Sequence, residues 1–165
     1  MNKTIQEVSV KSLCTALFVL AALAGLATAA DKPNFSGDWK FNAAKSNFGA
    51  IPAPTTYTRK VTHAEPSLTI EDTQTGTALG DQHDTRTYTT DGKEISYQAN
   101  GADVKGAATW DGDALQINSK ASVQGTDIVI KDVMTLGDDG KTLTDAVHIA
   151  SPQGELDLKV VFDKQ

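Results

Sequence analysis

The two arginines of the chain each lie two residues from a tyrosine. One pair is Tyr57 and Arg59 in "YTR", and the other is Arg86 and Tyr88 in "RTY". Residues two apart in an extended strand point to the same side, so each pair would present a guanidinium beside a phenol. Such a pair can bind a carboxylate or phosphate headgroup while apolar walls hold a tail. The alternative is that both arginines lie on a rim or an outer surface, since arginine is seldom buried without a partner.

Other reactive side chains lack the spacing of a recognisable site. His63, His83 and His148 show no short metal-ligand spacing and are predicted to be scattered surface or turn residues. The acidic clusters at 111–113 and 138–140 fit tight hairpin turns and lack the spacing of a calcium loop. The sequence contains neither a nucleophile elbow nor a glycine-rich phosphate loop. It therefore predicts no metal, no cofactor and no catalytic residue, which favours a protein that is not an enzyme.

The elements that must position these residues are predicted to be β-strands. From Phe35 onward, Thr, Val, Ile and Tyr recur in short alternating runs with almost no helical periodicity. Turn residues such as Asp91-Gly92 and Asn100-Gly101 separate the runs. The predicted strands are Gly37–Asn42, Thr55–His63, Ser67–Gln74, Gln82–Thr89, Glu94–Ala99, Asp103–Trp110, Ala114–Ser122, Thr126–Leu136, Thr142–Ala150 and Glu155–Asp163.

The order of the turns predicts an up-and-down meander. The stretches that begin at Asp111 and at Asp139 each contain an Asp-Gly turn, a strand, a Gln-Gly turn and a second strand. Successive hairpins pair each strand with its sequence neighbour, and no segment is long enough for a parallel crossover. The predicted fold class is all-β, an antiparallel meander closed into a single small barrel of about eight to ten strands, which hides the sheet edges. A β-sandwich is the alternative.

Alternation sorts the side chains into an apolar face and a polar face. On the eighth strand, Ile128, Ile130 and Met134 line up, and Asp132 interrupts them. The apolar face of the last strand comprises Leu156, Leu158, Val160 and Phe162. The chain has only ten aromatic residues, which disfavours a membrane-spanning barrel with its two aromatic girdles. We therefore expect no membrane insertion of the folded domain.

The opening stretch "FSGDWKF", which contains Gly37-Asp38-Trp39, resembles the first strand of the calycin superfamily, the lipocalins and fatty-acid-binding proteins. The closing "VVFDK", residues 160–164, is similar to the last strand of fatty-acid-binding proteins. This resemblance implies a β-barrel in which Trp39 closes one end and Gly37 permits tight packing beside it, a structural role. More loosely, the chain resembles a secreted bacterial lipocalin-like family to which no activity is assigned.

The sequence also departs from the pattern of fatty-acid-binding proteins. The stretch from Ala43 to Pro54 is too short for the two helices that cover those barrels. The ligand-contacting arginine of their last strand is matched here by Val160, so that binding residue is not carried over. Within the same stretch, "FNAAKSNFG" faintly resembles the opening of periplasmic polyisoprenoid-binding barrels, with Lys45 where those have histidine.

Residues 1–29 are predicted to be a signal peptide, cleaved after Ala29, which leaves residues 30–165 as the lipocalin-like β-barrel domain. Basic residues precede an apolar run from Leu13 to Leu26, and "ATA" follows it as a peptidase site. The run is short for a membrane span. Cys14, the only cysteine, lies inside the run, so the folded domain contains no thiol. The predicted location is periplasmic or secreted.

The net charge of the chain limits the kinds of partner that we expect it to bind. It has 15 basic and 21 acidic residues, with a formal net charge of −6. An acidic chain without a basic stripe disfavours nucleic acid and anionic membrane surfaces as partners. The sequence predicts an exported, non-catalytic barrel that binds a small hydrophobic or amphipathic molecule. A structural or protein-interaction module of the cell envelope, with a filled barrel core and an unidentified protein partner, is the alternative, and an enzyme is third.

Overall fold

The computed structural model describes residues 32–99, 101–123 and 125–165, and the predicted signal peptide lies outside them. The described chain forms ten strands, and one 3-10 helix, Ala43–Lys45, follows the first strand. The strands are β1 Gly37–Phe41, β2 Thr56–Ala64, β3 Ser67–Thr77, β4 Gly80–Thr89, β5 Ile95–Ala99, β6 Ala102–Asp111, β7 Ala114–Val123, β8 Thr126–Leu136, β9 Thr142–Ser151 and β10 Gly154–Lys164.

All ten strands belong to one antiparallel sheet that curls into a nearly closed barrel. The strand order is β4-β3-β2-β1-β10-β9-β8-β7-β6-β5. Neighbours in this order are also neighbours in sequence except for β1 and β10, which pair with Phe41 opposite Phe162. The prediction of an all-β up-and-down barrel is confirmed, and the β-sandwich alternative is wrong.

β4 and β5 stand at the two ends of this strand order and are not hydrogen-bonded neighbours, and we call the line between them the seam. The chain after β4 closes one end of this seam. Asp91 pairs with Thr109 of β6, and the amide of Gly92 donates to the carbonyl of Ala108 at 2.9 Å. The hydroxyl of Tyr88 also donates to that of Tyr97 across the seam, at 3.2 Å. We call this end of the barrel the closed end, and the opposite end, with the β3–β4, β5–β6 and β7–β8 turns, the open end.

Glycines set the geometry of the turns and of one strand. Gly112, in the Asp-Gly turn between β6 and β7, has a φ of 57°, a conformation that costs least for glycine. Gly76, with a φ of 66°, lies at a β-bulge between Gln74 and Thr77. This bulge carries β3 beyond Gln74, its predicted end, because the strand resumes pairing with β4 after the irregularity.

Aromatic side chains fill the closed end. Trp39 is 1% exposed, and its indole Nε1 donates to the carbonyl of Phe35 at 3.0 Å. The Phe35 ring stacks on Trp110 at 5.8 Å between centroids. The carboxylate of Glu65 accepts from Trp110 Nε1 at 2.8 Å and lies 3.0 Å from His63 Nε2. Large buried rings remove much apolar area from water where the strands converge.

The segment between β1 and β2 lies along β10. After the 3-10 helix, Asn47 pairs with Lys159. Ser46 Oγ accepts from the amide of Val161 at 2.9 Å, and this outward residue of β10 is therefore 2% exposed. Phe48 then packs edge-on against Phe41, with centroids 5.6 Å apart. The segment contains no two-helix lid, as its length predicted. None of the described helices has the length and apolar character of a membrane span.

Candidate ligand-binding site

The alternation of β2, β3 and β4 directs both arginines into the barrel. On β2, Tyr57, Arg59 and Val61 are buried in alternation with exposed residues. Arg59 lies opposite Asp72 of β3, and Arg86 of β4 lies opposite the buried Ile70. Opposite residues of an antiparallel pair point to the same face, so the two arginines and Asp72 share the interior. The alternative that both arginines lie on the rim or outer surface is wrong.

Arg59 is fully engaged by groups of the protein. It is 4% exposed, and its Nε and Nη2 donate to the two carboxylate oxygens of Asp72 at 2.7 and 3.0 Å. Its Nη1 donates to Asp145 Oδ2 of β9 at 2.7 Å, and its Nη2 also donates to the hydroxyl of Tyr57 at 2.8 Å. All three guanidinium nitrogens thus have partners. This arrangement links β2, β3 and β9 across the interior.

Arg86 shares the same carboxylate. Its Nη2 donates to Asp72 Oδ2 at 2.6 Å, and its side chain is 16% exposed. Asp72 therefore accepts from two arginines at once. Burial raises the pKa of Asp72, but the charges and hydrogen bonds of Arg59 and Arg86 outweigh burial and lower it to about 2. Asp72 is ionised at neutral pH, and it holds the two predicted binding arginines together.

The structure separates the two predicted tyrosines by role. Tyr57 belongs to the arginine cluster, and its ring packs edge-on against Phe162 with centroids 4.8 Å apart. Tyr88 is 1% exposed and bonds to Tyr97 at the seam instead. Burial is the main cause that raises the pKa of both phenols, so both remain neutral hydroxyls. Of the four residues predicted to bind a ligand, three thus form one cluster and Tyr88 lies in a second contact.

Besides Asp72, two further interior carboxylates were missed by the sequence analysis as site residues. Asp145 of β9 is 2% exposed and lies opposite Met134 and Val160 on the inward face. Asp132 of β8 lies opposite Ile117 and is partly buried. Burial, followed by the charge of Asp145, raises the pKa of Asp132 to about 7. The signal for both was visible as a single aspartate that interrupts an alternating apolar face.

An apolar cavity lies between this cluster and the open end. Its volume is about 680 Å³. Leu79 and Gln82 line it on one side of the seam, and Ala99 and Ala102 line it on the other. Its remaining walls come from β6, β7 and β8, namely Val104, Ala121, Val123, Ile128 and Ile130. This volume is within the range of protein pockets that hold small organic ligands.

Gly37 and Trp39, the two residues predicted to close the barrel, lie together beside the last residues of β10. Gly37 lies beside the Lys164 side chain, where a Cβ atom added to Gly37 would come within 2.8 Å of Lys164 Cε. The Lys164 ammonium lies 5.2 Å from the Trp39 ring centre.

The three histidines do not share one environment. His63 is 6% exposed and its Nδ1 accepts from the amide of Phe35, so its prediction as a surface or turn residue is wrong. His83 and His148 lie on the outer surface. Within the described residues, no three His, Asp or Glu side chains are grouped to hold a metal ion.

Comparisons with known proteins agree with this architecture. No protein-family model matches the sequence, and no curated protein matches it. Among solved structures, it resembles an SAHS protein from Ramazzottius varieornatus (TM-score 0.58, 14% identity, covering 79% of this chain and 94% of that one). It also resembles the zebrafish ileal bile acid-binding protein complexed with cholic acid (0.56, 16%, 79% and 98%) and the REP1-NXSQ fatty acid transporter (0.56, 13%, 79% and 95%).

At these identities the likeness concerns the fold alone, and this fold is similar to that of the bile acid-binding protein and the fatty acid transporter. The resemblance predicted from Gly37-Asp38-Trp39 is confirmed at this level. The looser resemblance to a secreted bacterial lipocalin-like family stays a prediction.

Proposed function

We propose that the chain is an exported carrier that binds one small hydrophobic or amphipathic molecule in its interior without catalysis. The observation that carries this proposal is the apolar cavity of about 680 Å³ between the seam, β6, β7 and β8. The cluster of arginines and aspartates lies deeper on the same inward faces. The interior therefore offers an apolar lining for the tail of an amphipathic ligand and charged groups for its headgroup. Such a combination of apolar lining and a few polar groups is typical of ligand sites.

The structural neighbours support a binding role. Two of them are named for binding a bile acid and for transporting fatty acids. The interior clusters of this chain hold together by mutual ion pairs and offer no activated nucleophile. Tyr57 and Tyr88 are neutral at physiological pH, because burial raises their pKa, and the two arginines are held by Asp72. These features favour binding over catalysis.

The experiment uses a variant that fills the cavity. Ala121 lines it on β7, and Ala121→Trp would place an indole there. Ala146→Trp is the matched control, since Ala146 is exposed on the outer face of β9. We expect the unmodified chain and the control to bind an environment-sensitive apolar dye and release it to competing amphiphiles, while Ala121→Trp does not bind. Equal dye binding by all three would contradict a site in this cavity.

The alternative is a structural or protein-interaction module with a filled core. The side chains of the closed half are tightly packed, which suits this alternative, but the cavity in the open half does not. Native mass spectrometry of the protein purified from its own host separates the two. A bound mass of a small molecule supports a carrier, whereas a stable protein complex without one supports the module.

Export rests on the amino-terminal sequence. A signal peptide over residues 1–29 would give a mature chain that begins at Ala30. Cell fractionation with amino-terminal sequencing of the purified protein tests this. A chain that retains Met1 in the cytoplasm would overturn it.

A further inference from the structure

The polar cluster in the barrel contains hydrogen-bond acceptors that the protein itself does not use. Asp145 Oδ2 accepts from Arg59, but its Oδ1 is buried and has no partner among the described residues. A buried carboxylate oxygen without a donor costs free energy in the folded state. The side chain that carries it is 2% exposed and lies on the inward face of β9. This oxygen is therefore available to accept a hydrogen bond from a bound molecule.

Asp132 provides a second carboxyl beside Asp145, and no arginine is left to neutralise it. Met134 lies opposite Asp145, and Asp132 is two residues from Met134 on the same face of β8. Such diagonal neighbours lie about 7 Å apart at Cα, within reach of one molecule of ligand. Both arginines of the interior donate to Asp72, and Arg59 also donates to Asp145. When Asp132 is ionised, the cluster contains one more negative than positive charge.

The position of these carboxyls relative to the cavity is favourable for a ligand with a tail. Ile130 lines the cavity wall, and Asp132 is the next inward residue of β8 toward the closed end. Two residues of a strand advance about 7 Å, so a headgroup at Asp132 would extend its tail past Ile130 and Ile128. The head of a bound molecule would thus meet Asp132 and Asp145, and its tail would occupy the apolar cavity.

We propose that the barrel recognises an amphiphile with a cationic, hydrogen-bond-donating head, of the protonated alkylamine class, through Asp132 and the free Oδ1 of Asp145. This inference rests on the proposed carrier function and specifies its ligand. The proposed headgroup is a cation, whereas the two arginines alone had predicted an anionic headgroup. Because each nitrogen of Arg59 already donates to the protein and Arg86 is paired with Asp72, an anionic head at either arginine would lie beside the Asp72 carboxylate, which repels it.

The experiment compares three probes that share a tail and differ in the head. Dodecylamine, dodecanol and dodecanoate are titrated by calorimetry into the full folded chain at about pH 8, where the amine stays protonated because its pKa is close to that of lysine. We expect the amine to bind about tenfold more tightly than the alcohol, since a charge-assisted hydrogen bond is worth about that factor. The carboxylate should bind most weakly.

Asp132→Asn removes the charge with little change in shape. Asp127→Asn is the matched control, because Asp127 is an exposed residue of the same strand. Asp132→Asn should weaken amine binding about tenfold and leave alcohol binding within about twofold. The control should change neither. Near-ultraviolet circular dichroism verifies that both variants fold.

The pH dependence of the unmodified chain gives a measurement that needs no variant. Asp132 faces Asp145 from β9, Arg86 from β4, Arg59 from β2 and Asp72 from β3, while β7 presents Ile117. Because burial and Asp145 raise the pKa of Asp132 to about 7, its charge is lost as the pH falls through this value. The preference for amine over alcohol should therefore shrink about fivefold between about pH 8 and pH 6, since about nine tenths of Asp132 is ionised at the first pH and about one tenth at the second.

Each outcome decides one of the two proposals. Equal affinity for amine and alcohol, or an amine preference that survives Asp132→Asn, overturns the cationic head while the carrier function stands. Tightest binding of dodecanoate also overturns it and assigns the head to Arg86. Failure of all three probes to bind overturns the carrier function itself.

Discussion

The carboxyl of Asp132 should destabilise the folded barrel at neutral and alkaline pH. The pKa of this group rises from 3.8 to about 7, first because burial disfavours the charged form and then because Asp145 repels it. A group whose pKa is higher in the folded than in the unfolded chain stabilises the fold only while protonated. The loss of stability that its ionisation causes is therefore absent below about pH 4, grows as the pH rises toward 7 and is constant above that.

The size of the effect follows from the shift. Three pKa units correspond to about 4 kcal/mol of lost stability above pH 7. Asp132 is partly exposed, and solvent reduces this to about 1–3 kcal/mol. Asp132→Asn cannot ionise and should therefore be more stable than the unmodified chain by about this amount at pH 8. Near pH 5 the advantage should be smaller, because part of the Asp132 carboxyls is then protonated in the folded chain.

Urea unfolding at a series of pH values measures this difference, with the fluorescence of the buried Trp39 as the signal. Asp127→Asn, in the exposed part of β8, is the control and should show no such pH-dependent gain. An equal stability difference at pH 5 and pH 8 would refute the reasoning, and so would a loss of stability on removing the charge at pH 8.

Three further substitutions test the packing of the barrel interior by urea unfolding. Arg59→Met leaves Asp145 buried without its ion-pair partner and Asp72 with Arg86 alone, and it should lower the free energy of unfolding by about 3–5 kcal/mol. Adding Asp145→Asn should recover part of the loss, and no recovery would contradict the pairing. Trp39→Ala should lower the free energy of unfolding by about 3–5 kcal/mol, because it leaves a cavity at the closed end. A decrease below about 1 kcal/mol would show that the Trp39 ring does not fill that end. Gly106→Ala would bring a methyl group within 2.8 Å of Ser119 Oγ and should lower the free energy of unfolding by about 1–3 kcal/mol, whereas no loss would mean that the seryl side chain turns aside freely.

Much of the architecture could be predicted from the sequence because local patterns determine it. Two-residue alternation and Asp-Gly turns indicated all ten strands, and short hairpins left only neighbour pairing. The seam between β4 and β5 could not be predicted in this way. It depends on the chain after β4 reaching across to β6 through Asp91 and Gly92, a contact between residues far apart in sequence.

The candidate site was predicted only in part, for a related reason. The pairing of tyrosine and arginine by strand period indicated that Arg59 and Arg86 share faces with phenols. It could not show which carboxylates those arginines meet, because Asp72 and Asp145 come from other strands. The single aspartates at 72, 132 and 145, each inside an apolar alternation, were the available signal. Read together, three such interruptions in a barrel with two arginines predict an interior ion cluster with a surplus of negative charge.

The pairing of β1 with β10 has a consequence for how this chain folds. It is the one pairing of the described strands that joins segments distant in sequence, so the barrel cannot close until the two chain ends meet. A circular permutant that links these ends and begins at Lys93, in the seam, would turn that slow closure into one more local hairpin. All nine pairings would then connect consecutive strands, and lower contact order gives faster folding. The seam is thus also the place where the backbone can be cut without severing any of these nine strand pairings.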